Sequence, residues 1–115
     1  MLRKSHKRRA AHQPPHAVVF AALGDKTRLA LVERLSGGRS ASILELTADA
    51  PITRQAVTKH LRVLEDAGIV RSKRAGRETR FALHLAPLHG LQVYLDRVGR
   101  QWDETLGRLK AFVEE

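Results

Sequence analysis

Read from its amino end, the chain sets its apolar positions first at helical spacing, then in alternation, then at helical spacing again. A first helix is expected from about His16 to Leu23, stopping at Gly24. Asp25 is an N-cap for a second, in which Leu29, Val32 and Leu35 recur at helical intervals until Gly37-Gly38 ends it. Ser42-Ile43-Leu44-Glu45 has the spacing of a capping box, in which each side chain satisfies a free backbone N–H. A short third helix therefore runs to about Ala48. Pro51, which lacks an amide proton and biases Ala50 away from helical angles, breaks the chain after it. Thr53 caps a fourth helix ending at Gly68, with Ile52 and Val57 placed as a hydrophobic staple across the cap.

The period then changes. From Glu78 to Leu85, apolar or β-favouring residues take odd positions and mostly polar ones even positions, the pattern of a half-buried strand. Ile69–Lys73 is expected to pair with it through a turn at Ala75-Gly76-Arg77. Pro87 suits the first turn of a last helix, where Leu88, Leu91, Leu95, Val98, Trp102, Leu106, Leu109 and Val113 step by threes and fours. At 1.5 Å per residue this stripe is about 39 Å long, more than one small domain easily covers. Gly90, Gly99 and Gly107 each weaken the helix by about 1 kcal/mol relative to Ala, and mark either a close helix contact or a bend. There is no internal repeat. Helix, helix, short helix, tight turn, helix, hairpin is the order of a winged helix-turn-helix. The expected class is α+β, mostly α, with a two-stranded wing and a long C-terminal helix.

Composition bounds the chemistry. At 115 residues the chain makes one domain with a modest core. It has no cysteine, which excludes a disulfide framework, a thiolate nucleophile and a Cys-ligated metal. Its longest apolar run, Ala17 to Leu23, falls far short of the roughly 20 residues of a membrane span. The net charge of +9 matters more for where it lies. Residues 1–16 carry Arg3, Lys4, Lys7, Arg8 and Arg9 with no acid, together with His6, His12, His16 and Pro14-Pro15. They read as a disordered basic arm ahead of a folded domain, 17–115. A signal peptide would also begin with a basic stretch. Here the apolar run that follows is short and meets Asp25-Lys26-Thr27-Arg28 at once, so a cytoplasmic location is expected. Residues 53–80 carry eight bases against three acids, whereas 17–52 are neutral and 81–115 sum to −1.

That central block coincides with the fourth helix and the hairpin. In helix-turn-helix proteins the second helix enters the major groove with its N-terminal residues at the base edges. Val57, Leu61 and Leu64 turn one face of the fourth helix inward, which leaves Arg54, Gln55, Thr58, Lys59 and Arg62 on the opposite stripe. Arg pairs with guanine O6 and N7, Gln with adenine N6 and N7, and Thr with either class of edge. Lys59 and Arg62 are equally suited to phosphates. Lys73, Arg74, Arg77 and Arg80 crowd the hairpin, where a wing would press on the backbone or minor groove. Double-stranded DNA is therefore the expected partner. A merely solvated basic face is the bland alternative for either segment alone, and their agreement weighs against it. A nonspecific architectural or RNA-binding module would use the same face. His60 has two readings, as a phosphate donor or as a partly buried histidine packed beside Leu61. Trp102 belongs to a core or an interface before it is a ligand platform. Catalysis is not expected: there is no glycine-rich phosphate loop and no nucleophile elbow, and the acids are scattered singly. No cofactor is implied.

Three separated motifs carry a family resemblance: Leu23-Gly24-Asp25-Lys26-Thr27-Arg28-Leu29, then Thr58-Lys59-His60-Leu61-Arg62-Val63-Leu64-Glu65-Asp66-Ala67-Gly68-Ile69-Val70, then Arg74-Ala75-Gly76-Arg77. In this order and spacing they resemble the ArsR family of bacterial winged-helix repressors, over roughly residues 17–113. The resemblance implies a homodimer assembled by the first and last helices, with Val19 joining the stripe from Leu88 to Val113. It implies a promoter repressed until a signal relieves it, and it puts Thr53, Arg54, Gln55, Thr58, Lys59 and His60 at the DNA-facing positions. Many relatives sense metals through a cysteine pair on the third helix, where this chain has Leu44-Glu45-Leu46, or through carboxylates and histidines on the last helix. Neither set is present. Asp96, Asp103 and Glu104 lie there without a histidine among them, and His84 and His89 flank its start without a ligand spacing. The chain is thus similar to the metal-independent branch, with no metal site expected, and the sequence names no effector.

Overall fold

The computed structural model describes residues 14–48 and 51–114. In chain order these form α1 (His16–Leu23), α2 (Lys26–Leu35), β1 (Ala41–Ser42), α3 (Ile43–Thr47), α4 (Arg54–Asp66), β2 (Val70–Ala75), β3 (Glu78–Leu83) and α5 (Leu85–Glu114). Most of the basic arm, residues 1–13, lies outside the described residues, as do Asp49 and Ala50. The end of that arm belongs to the fold. His16 opens α1 and stacks its ring 4.5 Å from that of Tyr94 on α5.

Helix starts follow the capping chemistry of the sequence. Asp25 Oδ2 accepts from the Arg28 amide at 3.0 Å. Ser42 Oγ accepts from the Glu45 amide at 3.1 Å while Glu45 Oε1 accepts from the Ser42 amide at 2.9 Å, the reciprocal capping box. Thr53 Oγ1 accepts from the Ala56 amide at 3.1 Å. Helix α4 ends where Gly68 takes φ +81°, letting its own amide reach Glu65 O and that of Ile69 reach Leu64 O, a Schellman closure.

The hairpin turns through Gly76-Arg77, with positive φ at Gly76 alone, the type II′ arrangement. The wing is larger than the sequence pattern predicts. A third strand, β1, pairs antiparallel with β3 (Ala41 opposite Phe81, Ser42 opposite Arg80), giving the order β1-β3-β2. Two residues are too few to display alternation, and their partners lie far along the chain.

One core is shared by every helix and the sheet. It holds Leu31, Val32 and Leu35 of α2, Leu46 of α3, Val57, Leu61 and Leu64 of α4, Ile69, Val70 and Phe81, with Ile52 packed against it. Three positions expected at a dimer interface are also part of it. Val19 is 1 % exposed and Leu91 5 %, and Leu88 packs against the same cluster. The stripe on α5 therefore divides: its first turns close the protomer core, and beyond them Leu95, Trp102, Leu106, Leu109 and Val113 stand exposed. Every described residue from Arg100 onward is exposed.

Candidate nucleic-acid interface

Helix α4 is fixed from behind and open in front. Val57, Leu61 and Leu64 are at most 1 % exposed, so rotation about the helix axis would expel them into water at about 1.5–3 kcal/mol each. With that face held, Arg54, Gln55, Lys59 and Arg62 project outward, and with Thr58 and Ile43 of α3 they line one shallow surface groove. Among the described residues, none of these four long side chains makes a hydrogen bond or ion pair within the protomer. Thr58 differs, since its hydroxyl donates to Arg54 O at 2.8 Å and keeps only acceptor capacity. Thr53 is occupied as the cap.

The hairpin stands beside this surface because Ser72 Oγ of β2 donates to Glu65 Oε2 near the end of α4 at 2.7 Å. Lys73 and Arg77 are exposed and uncommitted among the described residues, and Arg74 makes one long contact, from Nε to the turn carbonyl of Gly76 at 3.4 Å. At the root of the wing, Arg71 Nη2 lies 3.1 Å from His84 Nε2. Burial holds His84 below the ordinary histidine range, and the neighbouring guanidinium pushes it in the same direction.

Two of the basic residues expected here are used otherwise. Arg80 donates from Nε to Ser40 Oγ at 2.8 Å and from Nη2 to Ser40 O at 2.9 Å and Glu45 Oε1 at 3.0 Å, while Nη1 pairs with Glu78. Its guanidinium locks β3 to α3 and is no free cation. Glu45 is correspondingly acidified, first by the Ser42 amide and then by Arg80. His60 points back into the domain. Its Nδ1 lies 3.3 Å from Arg28 Nη1 and 3.8 Å from Asp25 Oδ2. The alternation of the strand and the stripe of the helix located both residues, but neither pattern records what a side chain reaches across the fold.

Residues 23–73 match the helix-turn-helix domain family. YuzN, a helix-turn-helix-type transcriptional regulator of Bacillus subtilis, is 44 % identical over 79 residues, covering 64 % of this chain and 86 % of that one. The regulator Rv2034 of Mycobacterium tuberculosis is 43 % identical over 78 residues, 68 % of this chain and 72 % of its own. An ArsR-like transcriptional regulator from Rhodococcus sp. RHA1 superposes with a TM-score of 0.70 at 38 % identity, over 84 % of this chain and 91 % of its own. The chain belongs to the ArsR-like family of transcriptional regulators. As a family member it is a DNA-binding regulator, with a winged helix-turn-helix and a long last helix. Among the described residues no helix is long and apolar enough to cross a membrane, and no three His, Asp or Glu side chains gather as a metal site.

Proposed function

We propose that this ArsR-like regulator reads a specific DNA sequence as a homodimer and represses the promoter that carries it. The observation that supports this most is the outward face of α4, whose Arg54, Gln55, Lys59 and Arg62 stand on the side opposite a buried stripe and, among the described residues, have no hydrogen-bond or ion-pair partner. Arg54 and Gln55, in the first turn, are the base readers. Lys59 and Arg62, with Lys73, Arg74 and Arg77 of the wing, hold phosphates on either side. Arg80 and His60 are left out of this set because the Arg80 guanidinium and the His60 Nδ1 are engaged inside the fold.

The exposed end of α5 supports the dimer. An isolated helical segment of about 15 residues is marginal in water, and a row of Leu106, Leu109 and Val113 adds exposed apolar area to that cost. A second copy packed along α5 removes both penalties. It would also set two α4 helices about 34–36 Å apart, the spacing of successive major grooves on one side of a roughly palindromic operator. The reading includes no metal-sensing step, as the chain has no cysteine and, among the described residues, no histidine on α5 past His89.

Binding of the purified protein to its own upstream DNA and to random DNA of equal length, titrated with salt, tests this. A preference of about 10³-fold or more with one dimer per site is expected of a sequence reader. Equal affinity with equally steep salt slopes would instead leave a nonspecific architectural or RNA-binding module.

A further inference from the structure

Arg28 serves three elements at once. Its backbone amide donates to Asp25 and helps start α2. Its side chain donates from Nε to Ala22 O at 2.6 Å, a carbonyl at the end of α1, and from Nη2 at 3.4 Å to Ala21 O, which also accepts from the Gly24 amide. Its Nη1 meets His60 Nδ1 of α4 at 3.3 Å. A guanidinium only donates, so Nδ1 is the acceptor and the proton of the neutral imidazole sits on Nε2. Asp25 faces the same ring from 3.8 Å, and its carboxyl is held below the usual range, first by the Arg28 amide and then by the charge of Arg28.

Val19 and Ala22 of α1 and Ala67 after α4 join the common core, but the outer edge of the contact, between Val18 of α1 and Val63 of α4, borders an open depression. Dispersion and burial are not directional, whereas a hydrogen bond fixes distance and angle. Helix α1 in turn lies on α5, where His16 and Phe20 pack on Tyr94.

We propose that Arg28 and His60 form a positioning clamp that sets the angle of α4 to the α1–α5 pair, and so the pitch at which α4 meets the major groove. The clamp touches no DNA and rests on the proposed reading of α4 as the base reader. In a dimer built on α5, a tilt of α4 would misplace both readers together while leaving nonspecific phosphate contacts nearly as good.

Two substitutions separate this from bulk stability. His60→Leu removes the acceptor, and His60→Asn restores one, since its amide oxygen takes the place of Nδ1. With the full-length protein at one salt concentration, His60→Leu is expected to lower the ratio of affinity for the upstream fragment over random DNA by about tenfold, consistent with loss of a hydrogen bond to a charged group. Affinity for random DNA and sedimentation should stay near the parent values at a temperature well below the thermal midpoint of each variant, and His60→Asn should recover most of the ratio. A parent-like ratio in His60→Leu, or an equal fall in both variants, overturns the clamp. Equal losses on both DNAs would overturn it too, by making His60 a phosphate contact. Absence of any preference in the parent protein would sink the base-reading proposal itself, an outcome distinct from preference that survives His60→Leu.

Discussion

Helices α4 and α5 carry the same kind of apolar stripe, and the fold treats them in opposite ways. On α4 the stripe is wholly inside, with Val57 and Leu64 at 0 % exposure. On α5 only the first turns are covered, and Trp102 and Leu106 are about 60 % exposed (59 % and 62 %). A stripe at helical spacing shows that a helix has a partner but not whether that partner is its own chain. The polar faces differ in the same sense. That of α4 gathers Arg54, Gln55, Lys59 and Arg62, uncommitted among the described residues, on one groove, whereas α5 past Leu95 alternates Asp96, Arg97, Arg100, Asp103, Glu104 and Arg108. The first is a concentrated basic face and the second a mixed solvated one.

That contrast can be broken at its strongest point by Leu95→Glu. It should leave the protomer folded, yield monomers by sedimentation and weaken operator binding by about 10²- to 10⁴-fold, the gain that joining two half-sites supplies. An intact dimer after this change would move the interface off α5. Leu64→Ala should act on the other stripe, costing about 2–5 kcal/mol in denaturant unfolding at a fixed protein concentration while leaving the dimer intact by sedimentation. Arg54→Ala and Gln55→Ala should each reduce discrimination between operator and random DNA by about 1–3 kcal/mol, and Arg100→Ala on α5 should not. Equal loss on both DNAs for the α4 variants would count against base reading. The smallest effects come from one substitution made on both helices. Gly68→Ala, at φ +81°, should destabilise by about 1 kcal/mol, because a side chain there is strained. Gly107→Ala, where an added Cβ meets nothing in the protomer, should stabilise α5 by up to about 1 kcal/mol. A loss of dimer on Gly107→Ala would instead mark that glycine as a close contact between copies.

Within its protomer the structure narrows one question the sequence left open: among the described residues nothing lies within 4 Å of a Cβ added at Gly99 or Gly107, so no close contact there requires them. It also redistributes the candidate site. The sequence located Arg54, Gln55, Lys59 and Arg62 on one stripe because that stripe is the complement of Val57, Leu61 and Leu64, a purely local relation. It grouped Arg80 with the wing cations for the same local reason, whereas in the fold Ser40 and Glu45 hold its guanidinium. Val19 was assigned to an interface by resemblance and is buried by its own protomer.

What the sequence determined by itself was everything set by neighbours within a few residues: the caps at Asp25, Ser42 and Thr53, the helix stop at Gly68, a turn at Ala75-Gly76-Arg77, and the period of each helix and strand. These depend on backbone geometry and on side chains one turn away, which the order of residues specifies directly. Only the tertiary structure decided which charges remain free, that a two-residue strand completes the sheet, how far the core extends along α5, and that Arg28 joins α1, α2 and α4. Each depends on groups distant in the chain meeting in space, and a hydrogen-bond partner supplied from another element leaves no periodic trace in the residues that receive it.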